Sequence, residues 1–135
     1  ENYGTQLAGK VVVDITNPIS FATFDGLDVP ADSSAAAELA AALPQSKVLK
    51  AFNTTFAPTL SSGSVGGNKT TVLVAGDDAD AKAALIGAIT SGGAVDALDA
   101  GSLKRARELE AIAFIQIGLA VTEKINWTGG FAVVR

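Results

Sequence analysis

Four short runs along the chain have the length of buried strands, and the first of them is rich in β-branched residues. These runs cover residues 10–15, 47–52, 70–75 and 94–98. Asn17-Pro18 follows the first run, and Asn53-Thr54 follows the second. The C-terminal tail holds a further candidate, an edge strand at residues 131–134. The pattern predicts a sheet of short strands.

Three longer stretches, which are Ala-rich or apolar, have the signals of helices. They cover residues 35–43, 79–90 and 103–122. Ser34 and the two residues before it are candidate N-caps of the first stretch, where Glu38 would close a capping box. The second stretch begins at Asp78, next to Asp77 and Asp80. We interpret these aspartates as helix caps rather than as a metal site. Residues 61–68 have the composition of a flexible loop.

This alternation of strands and helices predicts an α/β fold. We expect a partial Rossmann-like domain with a mostly parallel sheet, flanking helices and a long apolar C-terminal helix. Its 135 residues are 48 % hydrophobic, which is enough for one compact domain with a buried core.

Composition and charge exclude several classes of function. The formal net charge of -4 and the scattered basic residues argue against a nucleic-acid partner. The chain has no Cys and no His, so we expect no metal site and no catalysis by those residue types. No apolar run reaches the roughly 20 residues of a membrane span. We therefore expect a cytoplasmic protein with no membrane partner.

Polar residues follow the first two predicted strands at the strand ends where open parallel sheets bind their ligands. Asn17 and Pro18 follow the first strand, and Asn53 and Thr54 follow the second. Asn and Thr side chains hydrogen-bond a carboxamide or a ribose without introducing a charge that must be desolvated. The alternative is that Asn17 and Asn53 only stabilise their own turns. From spacing alone this alternative is favoured.

Five blocks of sequence, taken in order, resemble one family of oxidoreductases. They are Gly-Lys-Val-Val-Val-Asp-Ile-Thr-Asn-Pro at 9–18, Ser-Ala-Ala-Ala-Glu-Leu at 34–39, Val-Leu-Lys-Ala-Phe-Asn-Thr at 48–54, Val-Ala-Gly-Asp-Asp at 74–78, and Asp-Ala-Gly-Ser-Leu at 99–103 followed by Ala-Arg-Glu-Leu-Glu at 106–110. This series resembles the NADPH-dependent deazaflavin coenzyme reductases. The cytosolic reductase domain of the six-transmembrane metalloreductases is similar over the same blocks.

The resemblance implies a function for the residues at the strand ends. Members of the family pass hydride between the nicotinamide of NADP(H) and a deazaflavin or flavin packed against it, so the protein supplies positioning. The match places Asn17 and Pro18 beside the nicotinamide, and Asn53 and Thr54 near the facing rings. Deazaflavin reductases of the family can carry His where this chain has Asn53, which leaves the hydride acceptor open.

The Gly-rich turn that holds the cofactor's pyrophosphate in this family has no counterpart in the sequence, since no Gly-x-Gly-x-x-Gly follows a strand. We expect residues 1–60 to be the second half of a Rossmann-type dinucleotide-binding domain and residues 61–135 to be a C-terminal extension. The chain alone would then be an inactive part of an NADP(H)-dependent oxidoreductase. The alternative is a non-catalytic module for dimerisation or ligand binding that retains only this half of the fold.

The last predicted helix has an unusual distribution of charge and of apolar residues. Lys104, Arg105 and Arg107 lie in its first turn, where the helix dipole disfavours cations. They either attract an anion or are offset by Glu108 and Glu110, and the second interpretation is favoured.

Further along the same helix, residues 111–121 contain only one polar residue, Gln116, and a helix apolar on nearly every side requires burial all round. We expect a homo-oligomer formed through this helix. The alternative is that the tail, with Trp127 and Phe131, folds back over it.

Overall fold

A computed structural model describes residues 3–135 of the chain. The strands are β1 (Val11–Asp14), β2 (Lys47–Lys50), β3 (Ser64–Val65), β4 (Asn68–Lys69), β5 (Thr71–Gly76) and β6 (Asp96–Gly101). The helices are α1 (Gly4–Leu7), α2 (Ala35–Ala42), α3 (Ala57–Ser62), α4 (Ala79–Ser91) and α5 (Ala106–Val121), and a 3-10 turn at Leu103–Arg105 leads into α5.

The main sheet has four strands in the order β1-β2-β5-β6. β1 pairs with β2 and β5 pairs with β6 in parallel, whereas β2 and β5 are antiparallel. The predicted α/β class and the mostly parallel sheet are confirmed. Because of the one antiparallel pairing, the carboxyl ends of β1 and β2 lie at the same edge of the sheet as the amino ends of β5 and β6.

Helices cover the sheet on both faces. On one face, Ala36 of α2 and Ala106 of α5 pack with Val48 of β2 and Leu103. On the other face, side chains of α4 such as Leu85 pack against a cluster formed by Ala51, Val72, Val74 and Ala97. The sheet is therefore the middle layer of three.

The predicted caps of α2 and α4 are confirmed. The Ser34 hydroxyl accepts a hydrogen bond from the Ala37 N–H at 3.0 Å, and the Asp78 carboxylate accepts one from the Ala81 N–H at 2.8 Å. Glu38 lies one residue beyond the capping-box position, because Ser34 is the N-cap and the third helical residue is Ala37.

The prediction of a flexible loop at residues 61–68 is wrong. α3 ends at Gly63, which has a left-handed φ of 70°, and β3 and β4 then form a tight hairpin. The two residues of its turn, Gly66 and Gly67, both have positive φ, which is the requirement of a type I′ turn. The glycines of this segment therefore define its shape.

The predicted edge strand at residues 131–134 is also wrong, because these residues form no strand in the structure. The tail is held by side chains instead. The Phe131 N–H donates to Gln116 Oε1 of α5 at 2.8 Å, and the Arg135 guanidinium pairs with Asp96. Trp127 packs against Phe56, with ring centroids 4.9 Å apart. The tail thus crosses from α3 and α5 to the start of β6.

α5 confirms the predicted C-terminal helix, but its inward face is not purely apolar. Glu110 and Gln116 are buried on that face beside Leu109 and Ala113. Ile115 remains exposed on the outer side, and Ile112 is partly exposed beside the tail. No helix in residues 3–135 is long and apolar enough to cross a membrane.

Candidate functional site

The structure brings two of the predicted site residues, Asn17 and Asn53, into direct contact. β1 and β2 are parallel and in register from Val11 with Lys47 to Asp14 with Lys50, so their carboxyl ends lie side by side. Asn53 Nδ2 donates to Asn17 Oδ1 at 3.2 Å, and Asn17 Nδ2 donates to the Asn53 carbonyl at 3.3 Å. The two asparagines form a bridge between the strand ends.

Asn53 carries an acceptor that has no partner among the described residues. Its Nδ2 also donates to the Leu109 carbonyl of α5 at 3.0 Å. Since both neighbours of the amide nitrogen, Asn17 Oδ1 and the Leu109 carbonyl, are acceptors, the Asn53 Oδ1 atom faces away from them and is left unpaired. The residue is 5 % exposed. A buried, unsatisfied acceptor of this kind costs about 1–3 kcal/mol of stability.

The backbone before Asn53 is strained. Phe52 has a φ of 65°, in the left-handed region that a bulky residue rarely occupies. Its side chain packs against the core cluster that contains Ala51 and Val72, and this packing holds the conformation in place. Strain of this kind, about 1–3 kcal/mol, is concentrated at ligand-binding sites.

Pro18 and Thr54 lie on either side of the asparagine bridge. The Pro18 carbonyl accepts from the Asp28 N–H at 2.7 Å, which closes the loop that begins after β1. The Thr54 carbonyl accepts from Gln116 Nε2 of α5 at 3.1 Å. Thr54 also lines an apolar cavity of about 190 Å³ with Leu73 and Ile112. No hydrogen bond described in the structure joins Thr54 to the asparagine bridge.

A buried cluster of charges lies directly beneath this site. The Lys50 ammonium donates to Asp14 Oδ2 at 2.9 Å, to Glu110 Oε1 at 2.8 Å and to the Thr16 carbonyl at 2.6 Å. The Lys50 and Glu110 side chains are fully buried, and that of Asp14 is 4 % exposed. All three N–H groups of the ammonium are therefore satisfied.

The charge cluster also holds the helices on the sheet. Glu110 accepts from the Ala35 and Ala36 N–H groups, at 3.0 and 3.4 Å, so the α5 carboxylate lies at the positive end of α2. Asp14 accepts from both the N–H and the hydroxyl of Thr16. The loop that leads to Asn17 is thus fixed by Lys50 through the Thr16 carbonyl and by Asp14.

Sequence reasoning missed this cluster. Lys50 was assigned only to a strand, and Glu110 was expected at the surface. One signal was available, because an acidic residue at the end of one buried apolar run and a lysine inside the next indicate a buried ion pair. The sequence offers no corresponding signal for Glu110, which lies 60 residues after Lys50 on another element.

The curated relatives of the chain are reductases, although no protein-family model matches it. The F420-dependent NADP reductase of Methanocaldococcus jannaschii is 34 % identical over 127 residues, which cover 92 % of this chain and 56 % of that protein. Metalloreductase STEAP3 of Rattus norvegicus is 39 % identical over 107 residues, which cover 79 % of this chain and 20 % of that protein. The chain thus spans about half the length of the first relative and a fifth of the second.

Solved structures agree with the sequence relatives. A protein of Arthrobacter sp. FB24 described as an F420-dependent NADP-reductase superposes with a TM-score of 0.85 at 30 % identity, over 98 % of this chain and 60 % of that one. A hypothetical protein of Sinorhizobium meliloti gives a TM-score of 0.61 at 28 % identity, over 73 % of this chain and 49 % of that one. Fold and relatives define an NADP-dependent reductase class. Within it, the chain is similar to F420-dependent NADP reductases over nearly its whole length.

Proposed function

We propose that this chain forms the nicotinamide side of the cleft in an NADP(H)-dependent oxidoreductase that transfers hydride to a deazaflavin or a flavin-like acceptor. The observation that supports the proposal is the unpaired Asn53 Oδ1 atom beside Asn17, at the carboxyl ends of two parallel strands. The names of the relatives favour NADP(H) and a deazaflavin as the cofactors.

The asparagine bridge has the hydrogen-bonding pattern that a nicotinamide carboxamide requires. Asn53 Oδ1 has no partner among the described residues but also almost no exposed surface, so it would accept the carboxamide N–H only after the strand-end loops move apart. Asn17 Nδ2 has a second N–H beyond the one it donates to the Asn53 carbonyl. Asn17 is only partly buried, so this N–H is a donor for the carboxamide oxygen. Both partners are neutral, and no charge has to be desolvated when the ring binds.

The residues around the bridge would orient the ring, and NADP(H) would supply the hydride. Lys50 does not act as a proton donor in this proposal, because its three N–H groups already hold Asp14, Thr16 and Glu110. Its part is to fix the loop that carries Asn17 and Pro18. Thr54 is proposed to line the neighbouring space on the side of the hydride acceptor.

We expect the 135-residue chain to bind reduced nicotinamide mononucleotide and NADPH with similar, millimolar affinity, about -4 kcal/mol. The reason is that a Gly-rich turn, which contributes much of the binding of the adenine half, is not in the sequence. Both ligands should perturb the backbone amide resonances of residues 16–19 and 52–54 in a titration followed by ¹⁵N NMR. No NADPH oxidation with a flavin acceptor is expected from this chain alone.

Asn17→Ala is the test variant, because Asn17 is partly exposed and its loss leaves the core intact. It should weaken binding of the mononucleotide about fivefold or more, the effect of one lost hydrogen bond. Asn126→Ala, an exposed asparagine in the tail, is the matched control and should bind like the parent chain. Shifts that map away from the two strand ends would refute the site, and micromolar binding of NADPH would refute the expectation that the phosphate grip is missing. Binding at the site without any turnover in a chain that includes a Gly-rich half would favour the ligand-binding module.

We also propose that the chain self-associates through the outer side of α5. Ile115 is 57 % exposed there, whereas Ile112, which is 37 % exposed, lines a cavity with the tail residues Phe131 and Val133. In sedimentation velocity at low micromolar concentration, the parent chain should sediment as a dimer or larger species. Ile115→Asp should shift it to the monomer, because a buried carboxylate opposes association. Val134→Asp, at an exposed tail position, should leave the distribution unchanged. A monomeric parent chain would contradict the proposal.

A further inference from the structure

The basic cluster at the start of α5 is only partly neutralised. Arg105 pairs with Glu108 at 3.4 Å, as the sequence favoured. Glu110 is unavailable, because it is buried and bound to Lys50. Lys104 and Arg107 form no ion pair with any residue from 3 to 135. Among the described residues, two cations of this cluster thus make no direct ion pair.

The position of Lys104 and Arg107 at the start of α5 destabilises the chain when nothing is bound there. α5 has 16 residues, and its N-cap residue, Arg105, makes no side-chain capping hydrogen bond. A cation in the first turn of a helix interacts with the positive end of the dipole, at a cost of about 0.3–1 kcal/mol. The Asp77 carboxylate already accepts from the Leu103 N–H at the start of the 3-10 turn that leads into α5, so the Arg107 guanidinium, rather than the helix end, is the group available to an anion.

An open groove lies next to Arg107 and has the volume of a small molecule. It has a volume of about 350 Å³ and runs between α5 and the segment that precedes α2. Leu27, Val29, Pro30 and Ala111 form apolar walls, and Ser33 and Arg107 contribute the polar groups. Arg107 is the sole charged residue of this lining. An apolar groove with one cation and one hydroxyl favours an organic anion with an apolar body.

The adjoining space has a different character. A cavity of about 260 Å³ shares Ser33 and Arg107 with the groove, and its lining includes Lys104 together with Asp32 and Asp77. Asp77 already accepts from the Leu103 N–H at 2.9 Å. The two aspartates balance the charge of Lys104 on that side, so this cavity is less suited to an anion than the groove is.

We infer that this groove binds a carboxylate or a phosphate monoester attached to a small apolar group, with Arg107 and Ser33 as the ligands of the oxyanion. The site is separate from the asparagine bridge and does not depend on the proposed function. Arg107 contacts the anion through its planar guanidinium, which matches two oxygens of a carboxylate or a phosphate. Leu27, Val29 and Ala111 exclude water from the apolar group.

The test is a titration of the ¹⁵N-labelled chain with hexanoate and with phenyl phosphate at low ionic strength. Both anions should perturb amide resonances of residues 27–34 and 104–111. Arg107→Ala should weaken their binding about tenfold or more, as expected when a charged hydrogen-bond partner is removed. Arg105→Ala is the matched control on the same turn, and it should change the affinity less than about twofold because Arg105 does not line the groove.

Further probes distinguish the possible outcomes. Hexanol should bind more weakly than hexanoate, and inorganic phosphate more weakly than phenyl phosphate. Equal binding of hexanol would show that Arg107 recognises no anion, and equal binding of inorganic phosphate would show that the apolar walls contribute nothing. Either result, or the absence of shifts in these residues, would overturn the inference. Arg107 is exposed, so the variant should keep the thermal stability of the parent chain and remain interpretable.

Discussion

Replacement of Lys50 by Met is expected to destabilise the fold by about 3–5 kcal/mol, because it leaves two buried carboxylates without their cation. Asp14 and Glu110 would lose hydrogen bonds of 2.9 and 2.8 Å, and the Thr16 carbonyl would lose one of 2.6 Å. An effect of this size is a large part of the 5–15 kcal/mol that typically stabilises a domain. Urea denaturation at neutral pH, followed by circular dichroism, measures it.

Lys47→Met is the matched control on the same strand. Lys47 pairs with Asp78 at 3.1 Å, but its side chain is 45 % exposed. The loss of an exposed ion pair changes the free energy of unfolding by less than about 1 kcal/mol. Similar effects of the two substitutions would mean that the buried cluster contributes no more than a surface pair.

The free energy of unfolding of the parent chain and of Lys50→Met should also depend on pH through this cluster. Burial alone raises the pKa of Asp14, but hydrogen bonds from the Thr16 N–H and from the Lys50 ammonium outweigh it and lower the pKa below 3.8. The unfolded state therefore binds the proton more tightly than the folded state does. The stabilisation from this group is present above about pH 4, and it is lost as the pH falls through the folded pKa. In Lys50→Met this loss should be smaller, since one of its causes is removed.

Gly63→Ala is expected to destabilise the chain by about 2–4 kcal/mol. Gly63 ends α3 with a φ of 70°, which costs a residue with a side chain about 1–2 kcal/mol. A Cβ atom there would also lie 2.6 Å from the Ala94 carbonyl oxygen, a backbone atom that cannot move aside without displacing the start of β6. Overpacking of this kind typically adds about 1–3 kcal/mol.

Gly66→Ala separates the two contributions. Gly66 has a similar left-handed φ of 56°, but a Cβ atom would meet nothing within 4 Å. Its substitution should therefore show the backbone strain alone, about 1–2 kcal/mol in the same urea experiment. If the two substitutions lowered the free energy of unfolding equally, the contact with the Ala94 carbonyl would contribute nothing to the effect of Gly63→Ala.

Local chemistry explains why so many elements were predictable from sequence. The β-branched run at 10–15 favours extended backbone. Ser34 and Asp78 specify helix starts through side-chain hydrogen bonds to residues three positions away. The strand-end rule made Asn17 and Asn53 candidates, and the family resemblance favoured them as a site over turn residues. The parallel pairing of β1 with β2 does bring these two residues together. Whether they bind a nicotinamide stays a prediction.

Other features depend on contacts between residues far apart in the chain. The hairpin of β3 and β4 and the direction of β5 were not predicted, because glycine is compatible with both a loop and a type I′ turn until a partner strand selects one. The unpaired acceptor of Asn53 likewise exists only because the Leu109 carbonyl of α5 orients its amide.

By itself, the sequence determined the α/β class, the order and approximate bounds of the main strands and helices, and the family that the chain resembles. These properties depend on side-chain patterns within about 10–15 residues and on blocks that survive in relatives. Only the tertiary structure decided that Lys50 is a buried cation between Asp14 and Glu110, 36 and 60 residues away along the chain. The tertiary structure also decided that Glu110 is buried and pairs with Lys50, whereas Arg107 is exposed and makes no ion pair among the described residues. The charge of a side chain follows from its residue type, whereas its burial depends on all the elements that pack around it.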